Sequence, residues 1–284
     1  MAMIVGTAFS TYYALPWQEV SVLLEGNSST QGEKVLELNS VPSHLVLSLL
    51  LAEDHKFLLH HGFNFEEARN SLVDWASGKQ KLRGASTLSQ QTSRILFLSN
   101  RKSLIRKTLE YAATVELERR FSKSDILRLY FSYAQWGEDI YGLSEASVRY
   151  FGKEPKGLST VEASILAVML PNPQRITEQL VSGNISEKLR TKLMQVNTWT
   201  EIILLGMEQD SSVGSSKLLA ALTGKDFGKL FYDTWLVKQP DLATVSERFE
   251  LQFNEAINNL RQNNLGRPRG TNIMLSHASE MQKS

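Results

Sequence analysis

Apolar residues recur at three- and four-residue intervals along most of the chain, and few stretches alternate between apolar and polar positions. This spacing predicts a mainly α-helical protein. Pro42 and Gly62 bracket the first long helix, in the positions that these residues prefer at the start of a helix and just past its end. Further helices are predicted over residues 66–77, 86–97, 102–121, 185–206 and 242–263.

Two serines predict where other helices begin. Ser122 lies three residues before Asp125, and Ser159 lies three residues before Glu162, which is the spacing of a capping box. The prolines of "PNPQ" are expected to end the helix that Ser159 begins. Beyond residue 175 the pattern changes, and a Ser/Gly-rich stretch separates two helices. We interpret residues 176–284 as a helical C-terminal extension or a small second domain.

The N-terminal segment allows several interpretations. Residues 1–18 carry no charged side chain, but a membrane-spanning helix needs about 20 apolar residues, and a signal peptide begins with basic ones. A full transmembrane helix, a shortened or interfacial anchor, and a buried or disordered leader remain open. We assign residues 1–38 to a membrane-proximal or anchor-remnant segment.

Composition limits the possible chemistry. The chain has 284 residues, 42% of them hydrophobic, which is enough for a sizeable core. Its net charge of +1 gives no reason to expect binding to nucleic acid. The absence of cysteine excludes disulfides, thiolate metal sites and cysteine nucleophiles. Any electrostatic function must therefore come from local clusters of charge.

An acidic pair, Glu53 and Asp54, interrupts the first apolar helix. If the helix continues to residue 61, Glu53 shares a stripe with Phe57 and His60, and its carboxylate is partly desolvated. Desolvation raises the pKa of a carboxyl group toward values useful for accepting a proton. The alternative is a structural Glu53 at a helix edge, paired with a distant Lys or Arg. His60 and His61 would point about 100° apart on a helix, so they favour structural roles over joint metal binding.

A basic window follows the acidic pair. Residues 75–109 contain no Asp or Glu and eight Lys or Arg, so they form either an anion site or a solvated basic face. Hydroxyl and amide side chains that suit phosphate or sugar oxygens are concentrated in this window: Ser86, Thr87, Gln90 and Gln91, close to Arg94. Arg106 and Lys107 precede Glu110 at spacings that place them on one face of a helix.

Six stretches of the sequence resemble a known family. "EDHKFLLHHG" is similar to the pattern E-D-x-x-F-x-x-H-x-G, "GASTLSQQ" to G-x-S-T-[IL]-x-Q-Q, and "RKTLE" to R-K-x-x-E. "ILRLYFS", "YGLSEASVRYFGK" and "LSTVEASILAVMLPNP" resemble the blocks that follow. In this order, over about residues 40–175, they resemble the peptidoglycan glycosyltransferases, glycosyltransferase family 51. This family includes monofunctional transglycosylases and the N-terminal domains of class A penicillin-binding proteins.

The resemblance implies a lysozyme-like glycosyltransferase domain, which we assign to residues 39–175. It implies polymerisation of lipid II into β-1,4-linked glycan strands, with release of undecaprenyl diphosphate in one inverting displacement. The implied location is the periplasmic face of the bacterial cytoplasmic membrane. The implied partners are lipid II, the growing glycan strand and the membrane surface, with cell-wall synthase or divisome proteins as further candidates and no nucleic acid.

The resemblance also implies roles for single residues. Glu53 would be the general base for the 4-hydroxyl of the acceptor GlcNAc, Asp54 would support it, and Glu110 would orient cations near the diphosphate. Residues that would bind the substrate are Ser86, Thr87, Gln90, Gln91, Arg94, Arg106, Lys107 and His60. Some family members use Mg²⁺ or Mn²⁺, but the sequence demands no metal, and we expect no required cofactor.

Three positions depart from the family pattern. Arg94 stands where Lys is usual, Asn64 where Asp is common, and Ser132 where Asn is common. The charge survives at Arg94, but a planar guanidinium is not equivalent to an ammonium. None of the three changes removes a proposed catalytic acid.

Two alternative functions stay open. One is a lysozyme-like enzyme that cleaves glycan, and the other is a non-catalytic scaffold that binds lipid II or synthases. The basic window argues against cleavage, because hydrolysis releases no diphosphate. After residue 175 there is no S-x-x-K or K-T-G motif, so a transpeptidase half is not expected.

Overall fold

The computed structural model describes residues 17–25, 35–78, 86–97, 104–209 and 242–265. The helices in these residues are α1 (Trp17–Glu25), α2 (Ser43–Glu53), α3 (Phe65–Ala76), α4 (Leu88–Phe97), α5 (Leu104–Arg120), α6 (Lys123–Tyr133), α7 (Leu143–Phe151), α8 (Thr160–Met169), α9 (Pro173–Ser182), α10 (Glu187–Gln209) and α11 (Leu242–Leu265). Two short strands, β1 (Gln135–Gly137) and β2 (Ile140–Tyr141), form an antiparallel pair. The prediction of a mainly α-helical fold is confirmed.

Helix α2 lies at the centre of the core, between α8 and α10. It is apolar on nearly every side, which is the pattern of a fully buried helix. Its residues with an exposed fraction of 2% or less are Leu45, Val46, Leu47, Ser48, Leu49 and Leu50. The Ser48 hydroxyl lies 3.2 Å from the Ser164 hydroxyl of α8 and 3.1 Å from the Thr200 hydroxyl of α10. These buried polar groups therefore satisfy one another where the three helices meet.

Both capping boxes form as predicted. The Ser122 hydroxyl accepts a hydrogen bond from the Asp125 N–H, and the Asp125 carboxylate accepts one from the Ser122 N–H. Ser159 and Glu162 make the same reciprocal contacts at the start of α8. Helix α8 ends at Met169, and the new helix α9 begins directly after it, with Pro173 in its first turn.

The first long helix is shorter than predicted. Helix α2 ends at Glu53, and residues 55–59 form turns. Asp54 leaves the helical conformation (φ −161°, ψ 75°), and its carboxylate accepts hydrogen bonds from the Leu88 N–H and from His60. The prediction of a helix through residue 61 is therefore wrong, and Phe57 does not share a helical stripe with Glu53.

The described parts of residues 176–284 are helical and join the same core. In the helix predicted over residues 242–263, apolar side chains recur at helical spacing, and four of them are buried in α11: Phe249, Phe253, Ala256 and Leu260. Helix α10 packs against α2, α8 and α11. The domain boundary at residue 175 stays a prediction, and "SSVGSS" lies outside the described residues.

The N-terminal segment is described only from Trp17 onward. Trp17 lies in α1 and contacts the ring of Phe97, with ring centroids 4.2 Å apart. Within the parts of the chain that the structure describes, no helix combines the length and the apolar character needed to cross a bilayer. The predicted anchor or leader falls mostly on residues outside these parts.

Candidate active site

Glu53 is the last residue of α2, where the chain turns sharply. Its side chain is partly buried, and its Oε2 accepts a hydrogen bond from the Gln91 side-chain amide at 3.2 Å. Burial raises the pKa of the Glu53 carboxyl, the positive charge of Lys192 and the Gln91 hydrogen bond lower it, and the charge of Asp54 raises it. A carboxylate in such an environment is suited to accept a proton from a substrate.

Asp54 anchors the turn that follows Glu53. The residue is only 6% exposed, and its two carboxylate oxygens lie 3.1 and 3.0 Å from His60 Nε2. One of these oxygens also accepts a hydrogen bond from the Leu88 N–H, at the start of α4, at 2.9 Å. The negative charge therefore lies at a helix N-terminus, where it is favoured. This placement suits a supporting role for Asp54 behind Glu53.

Thr87 and Gln90 hold the other end of the same turn. The Thr87 hydroxyl donates a hydrogen bond to the Gly62 carbonyl at 2.6 Å, and the Thr87 N–H donates one to Gln90 Oε1 at 3.0 Å. Gly62 has φ +87°, and a Cβ atom there would lie 2.9 Å from the Thr114 methyl group, so this position requires glycine. Thr87 and Gln90 are buried and Ser86 is partly buried; their substrate contacts stay a prediction.

Lys107 and Glu110 of α5 form an ion pair. Glu110 is 1% exposed, whereas the Lys107 side chain is 40% exposed. The Lys107 ammonium also lies 5.3 Å from the centroid of the Tyr111 ring. Glu110 therefore holds a partly exposed cation in a fixed place, which agrees with the orienting role that the resemblance implies.

The other predicted cations are only partly described. Arg94 lies in the last turn of α4 and is partly buried. Its positive charge acts on the buried hydroxyl of Tyr130, on which the charge of Glu53 also acts. The side chain of Arg106 lies outside the described residues, as do the other cations of the basic window: Lys79, Lys81, Arg83, Arg101 and Lys102.

A role for Mg²⁺ or Mn²⁺ near Glu110 stays a prediction. The Glu110 carboxylate is paired with an ammonium group, and oxygen-rich donor sets are what Mg²⁺ and Mn²⁺ prefer. Among the described residues, no three His, Asp or Glu side chains come together in a way that could hold a metal.

Two of the three departures from the family pattern have clear structural roles. The Asn64 side chain accepts a hydrogen bond from the Glu67 N–H at 3.0 Å, so it caps the start of α3 as an aspartate would. The Ser132 hydroxyl accepts a hydrogen bond from the Leu36 N–H at 2.8 Å and donates one to the Arg128 carbonyl at 2.7 Å.

Sequence reasoning missed Lys192, which acts electrostatically on Glu53. Thr200 of α10 contacts Ser48 of α2, and Lys192 lies eight residues, about two turns, before Thr200 on the same helix. Glu53 lies five residues after Ser48, so antiparallel packing of α2 and α10 brings Lys192 and Glu53 to the same end. No local motif marks Lys192, because only the pairing of two distant helices makes it part of the site.

The site combines one desolvated glutamate, Glu53, with the positive charge of Lys192 and, through Tyr130, that of Arg94. Such a site can remove a proton from a nucleophile while cations stabilise an anionic leaving group. A site of this kind is typical of enzymes in which a base removes a proton from a nucleophile and the nucleophile displaces an anionic leaving group.

Comparison with known proteins narrows this class to one family. The transglycosylase family model matches residues 20–197, more than half of the chain, and the chain belongs to this family. Biosynthetic peptidoglycan transglycosylases are among the similar proteins. The one from Pasteurella multocida is 39% identical over 166 residues, which are 58% of this chain and 66% of that protein.

Two other relatives carry the same name. The protein from Escherichia coli is 34% identical over 180 residues, which are 63% of this chain and 74% of that protein. The one from Chromohalobacter salexigens is 41% identical over 136 residues, which are 48% of this chain and 58% of that protein. The chain therefore spans less than two thirds of the length of the Pasteurella and Chromohalobacter relatives. The matched segment includes Lys192.

Proposed function

We propose that the protein is a peptidoglycan glycosyltransferase that polymerises lipid II into β-1,4-linked glycan strands and releases undecaprenyl diphosphate. The observation that carries this proposal is the partly buried Glu53 of a transglycosylase-family chain, which accepts a hydrogen bond from Gln91 and on which the charge of Lys192 acts. The names of the relatives support the substrate class. The proposed place of action is the outer face of the cytoplasmic membrane.

In the proposed reaction, Glu53 takes the proton of the 4-hydroxyl of the acceptor sugar. The freed oxygen forms a bond to C1 of the donor sugar, and the bond from C1 to the diphosphate oxygen breaks. The electron pair of that bond leaves with the undecaprenyl diphosphate. Attack from the face opposite to the α-linked diphosphate yields a β-linkage, so a single displacement completes the transfer.

Preorganised positive groups would stabilise the leaving diphosphate. The proposal assigns this task to Lys107, whose partner Glu110 is buried and whose own side chain is 40% exposed. Arg94 lies in the last turn of α4, and its positive charge acts on Tyr130, which is linked to Glu53 through Gln91. Fixed charges in a water-poor site stabilise developing negative charge without having to reorganise.

Activity on lipid II or on finished peptidoglycan distinguishes a glycan-building enzyme from a glycan-cleaving one. Incubation of the whole chain with lipid II in detergent is expected to yield glycan polymer and free undecaprenyl diphosphate, both measurable by gel and chromatography. Finished peptidoglycan is expected to stay intact under the same conditions. Soluble fragments from peptidoglycan would instead support a lytic enzyme, and binding of lipid II without polymer would support a scaffold.

Replacing Lys192 by Met is expected to shift the acid side of the pH–rate profile to higher pH. The positive charge of Lys192 lowers the pKa of Glu53, so its loss raises that pKa, and the base is then ionised only at higher pH. The rate should fall most at low pH and recover as the pH rises. Lys188→Met is the matched control, because Lys188 is exposed and lies one turn earlier on α10. An unchanged pH–rate profile for Lys192→Met would show that Lys192 does not act on the base.

A further inference from the structure

A buried tyrosine continues the hydrogen bonding behind Glu53. Tyr130 of α6 is 2% exposed, and its hydroxyl donates a hydrogen bond to Gln91 Oε1 at 3.0 Å. The other end of the same amide, Gln91 Nε2, donates to Glu53 Oε2 at 3.2 Å. The three side chains come from three different helices, so a directed chain of donors runs from Tyr130 to Glu53.

The direction of the Gln91 amide affects whether the Glu53 carboxyl group is ionised or protonated. A glutamine can present either its NH₂ donor or its carbonyl acceptor to a neighbour. The NH₂ group favours an ionised carboxylate, which only accepts hydrogen bonds, whereas the carbonyl favours a protonated carboxyl group, which can donate. A proton acceptor in catalysis must be ionised before the reaction, so the amide direction is functionally important.

Two charges favour the observed direction of the Gln91 amide. The positive charge of Arg94 acts on Tyr130, and a hydroxyl group near a cation turns its oxygen toward that cation and its proton away. The negative charge of Glu53 lies at the other end, so every donor dipole in the chain points toward it. The Tyr130 ring is also fixed, since it packs edge-on against Trp136 with ring centroids 6.4 Å apart.

We propose that Tyr130 is a positioning residue whose hydroxyl holds the Gln91 amide so that Gln91 donates to Glu53 and keeps this base ionised. The proposal rests on the proposed function for its catalytic meaning. The charged groups that act on Glu53 are Lys192 on α10 and Asp54 in the adjoining turn. Helix α8 contributes Glu162, which pairs with Lys153 and acts on His44, near the opposite end of α2.

A titration of the Glu53 carboxyl group tests this role directly. The carboxyl signal can be followed by ¹³C NMR in the whole chain labelled at glutamate side-chain carbons, and Glu53→Gln identifies it. Tyr130→Phe is expected to raise the Glu53 titration midpoint by about 0.5–1 pH unit, the equivalent of one lost hydrogen bond. Gln91→Met should give a similar shift, and the double variant should give no more than Gln91→Met alone, because Tyr130 acts through Gln91.

Tyr150→Phe is the matched control. The Tyr150 hydroxyl is also buried, but it donates to the Trp136 carbonyl at 2.8 Å and does not contact Gln91, so its loss should leave the Glu53 midpoint unchanged. A merely structural role of Tyr130 predicts the same unchanged midpoint for Tyr130→Phe. No shift in Tyr130→Phe, or a shift that adds in full to that of Gln91→Met, would overturn the proposal.

Two further measurements keep the test decisive. If Tyr130→Phe does not fold, 3-fluorotyrosine can replace Tyr130, because it keeps the hydroxyl and makes it a stronger donor. The titration midpoint of Glu53 should then fall, and an unchanged midpoint would count against the proposal. In the polymerisation assay, the acid limb of the Tyr130→Phe profile should move with the titration. A wild-type chain that makes no polymer at any pH would refute the proposed function, while the titration would still decide the role of Tyr130.

Discussion

Glu53→Gln is expected to lower the rate of lipid II polymerisation by about 10²–10⁴-fold, the usual contribution of a general base. Glutamine keeps the size of the side chain and the contact with Gln91, but it cannot take the proton of the acceptor hydroxyl. The loss should appear in single-turnover rates with saturating lipid II, because substrate binding does not require the base. Turnover close to that of the wild type would reject Glu53 as the base.

A folding control accompanies this variant. Burial raises the pKa of Glu53 in the folded state, so the unfolded chain releases this proton at a lower pH than the folded chain does. The folded state therefore loses stability as the pH rises from the ordinary value of 4.5 through the raised folded value. Glutamine avoids this loss, and Glu53→Gln should melt no lower than the wild type at pH 8. Glu178→Gln, at an exposed site on α9, should leave both rate and melting unchanged.

Lys107→Met is expected to lower turnover by about 10²–10³-fold, the range typical of one lost electrostatic contact to a developing anion. The substitution has a second consequence, because Glu110 is 1% exposed and loses its partner. A buried charged group without a partner costs about 1–3 kcal/mol or more, so the single variant should also melt at a lower temperature. Steady-state polymerisation rates and thermal melting measure the two effects.

The double variant Lys107→Met/Glu110→Gln separates these effects. It removes the cation and the buried negative charge together, so stability should recover toward that of the wild type. Turnover should stay low, because the leaving diphosphate still lacks its cation. If turnover recovers together with stability, Lys107 serves the fold and does not stabilise the leaving group.

Local sequence signals predicted most of the helices, but not α1, α7 or α9. The capping boxes at Ser122 and Ser159 depend on contacts within four residues, and both form. The end of α2 was predicted wrongly at residue 61. Its true end depends on Asp54, whose carboxylate binds the backbone of Leu88, 34 residues away. A pattern of apolar spacing contains no information about that contact.

Within the site, the sequence by itself determined which groups are available and, through ordered motifs, which family they resemble. It placed a carboxylate at residue 53 in an apolar stretch and positive charges after it. Only the tertiary structure decided which groups surround that carboxylate. Tyr130 reaches it through Gln91, and Lys192 reaches it from α10. The physical reason is that desolvation and electrostatic interaction act through space between packed helices, whereas sequence spacing determines contacts only within a few helical turns.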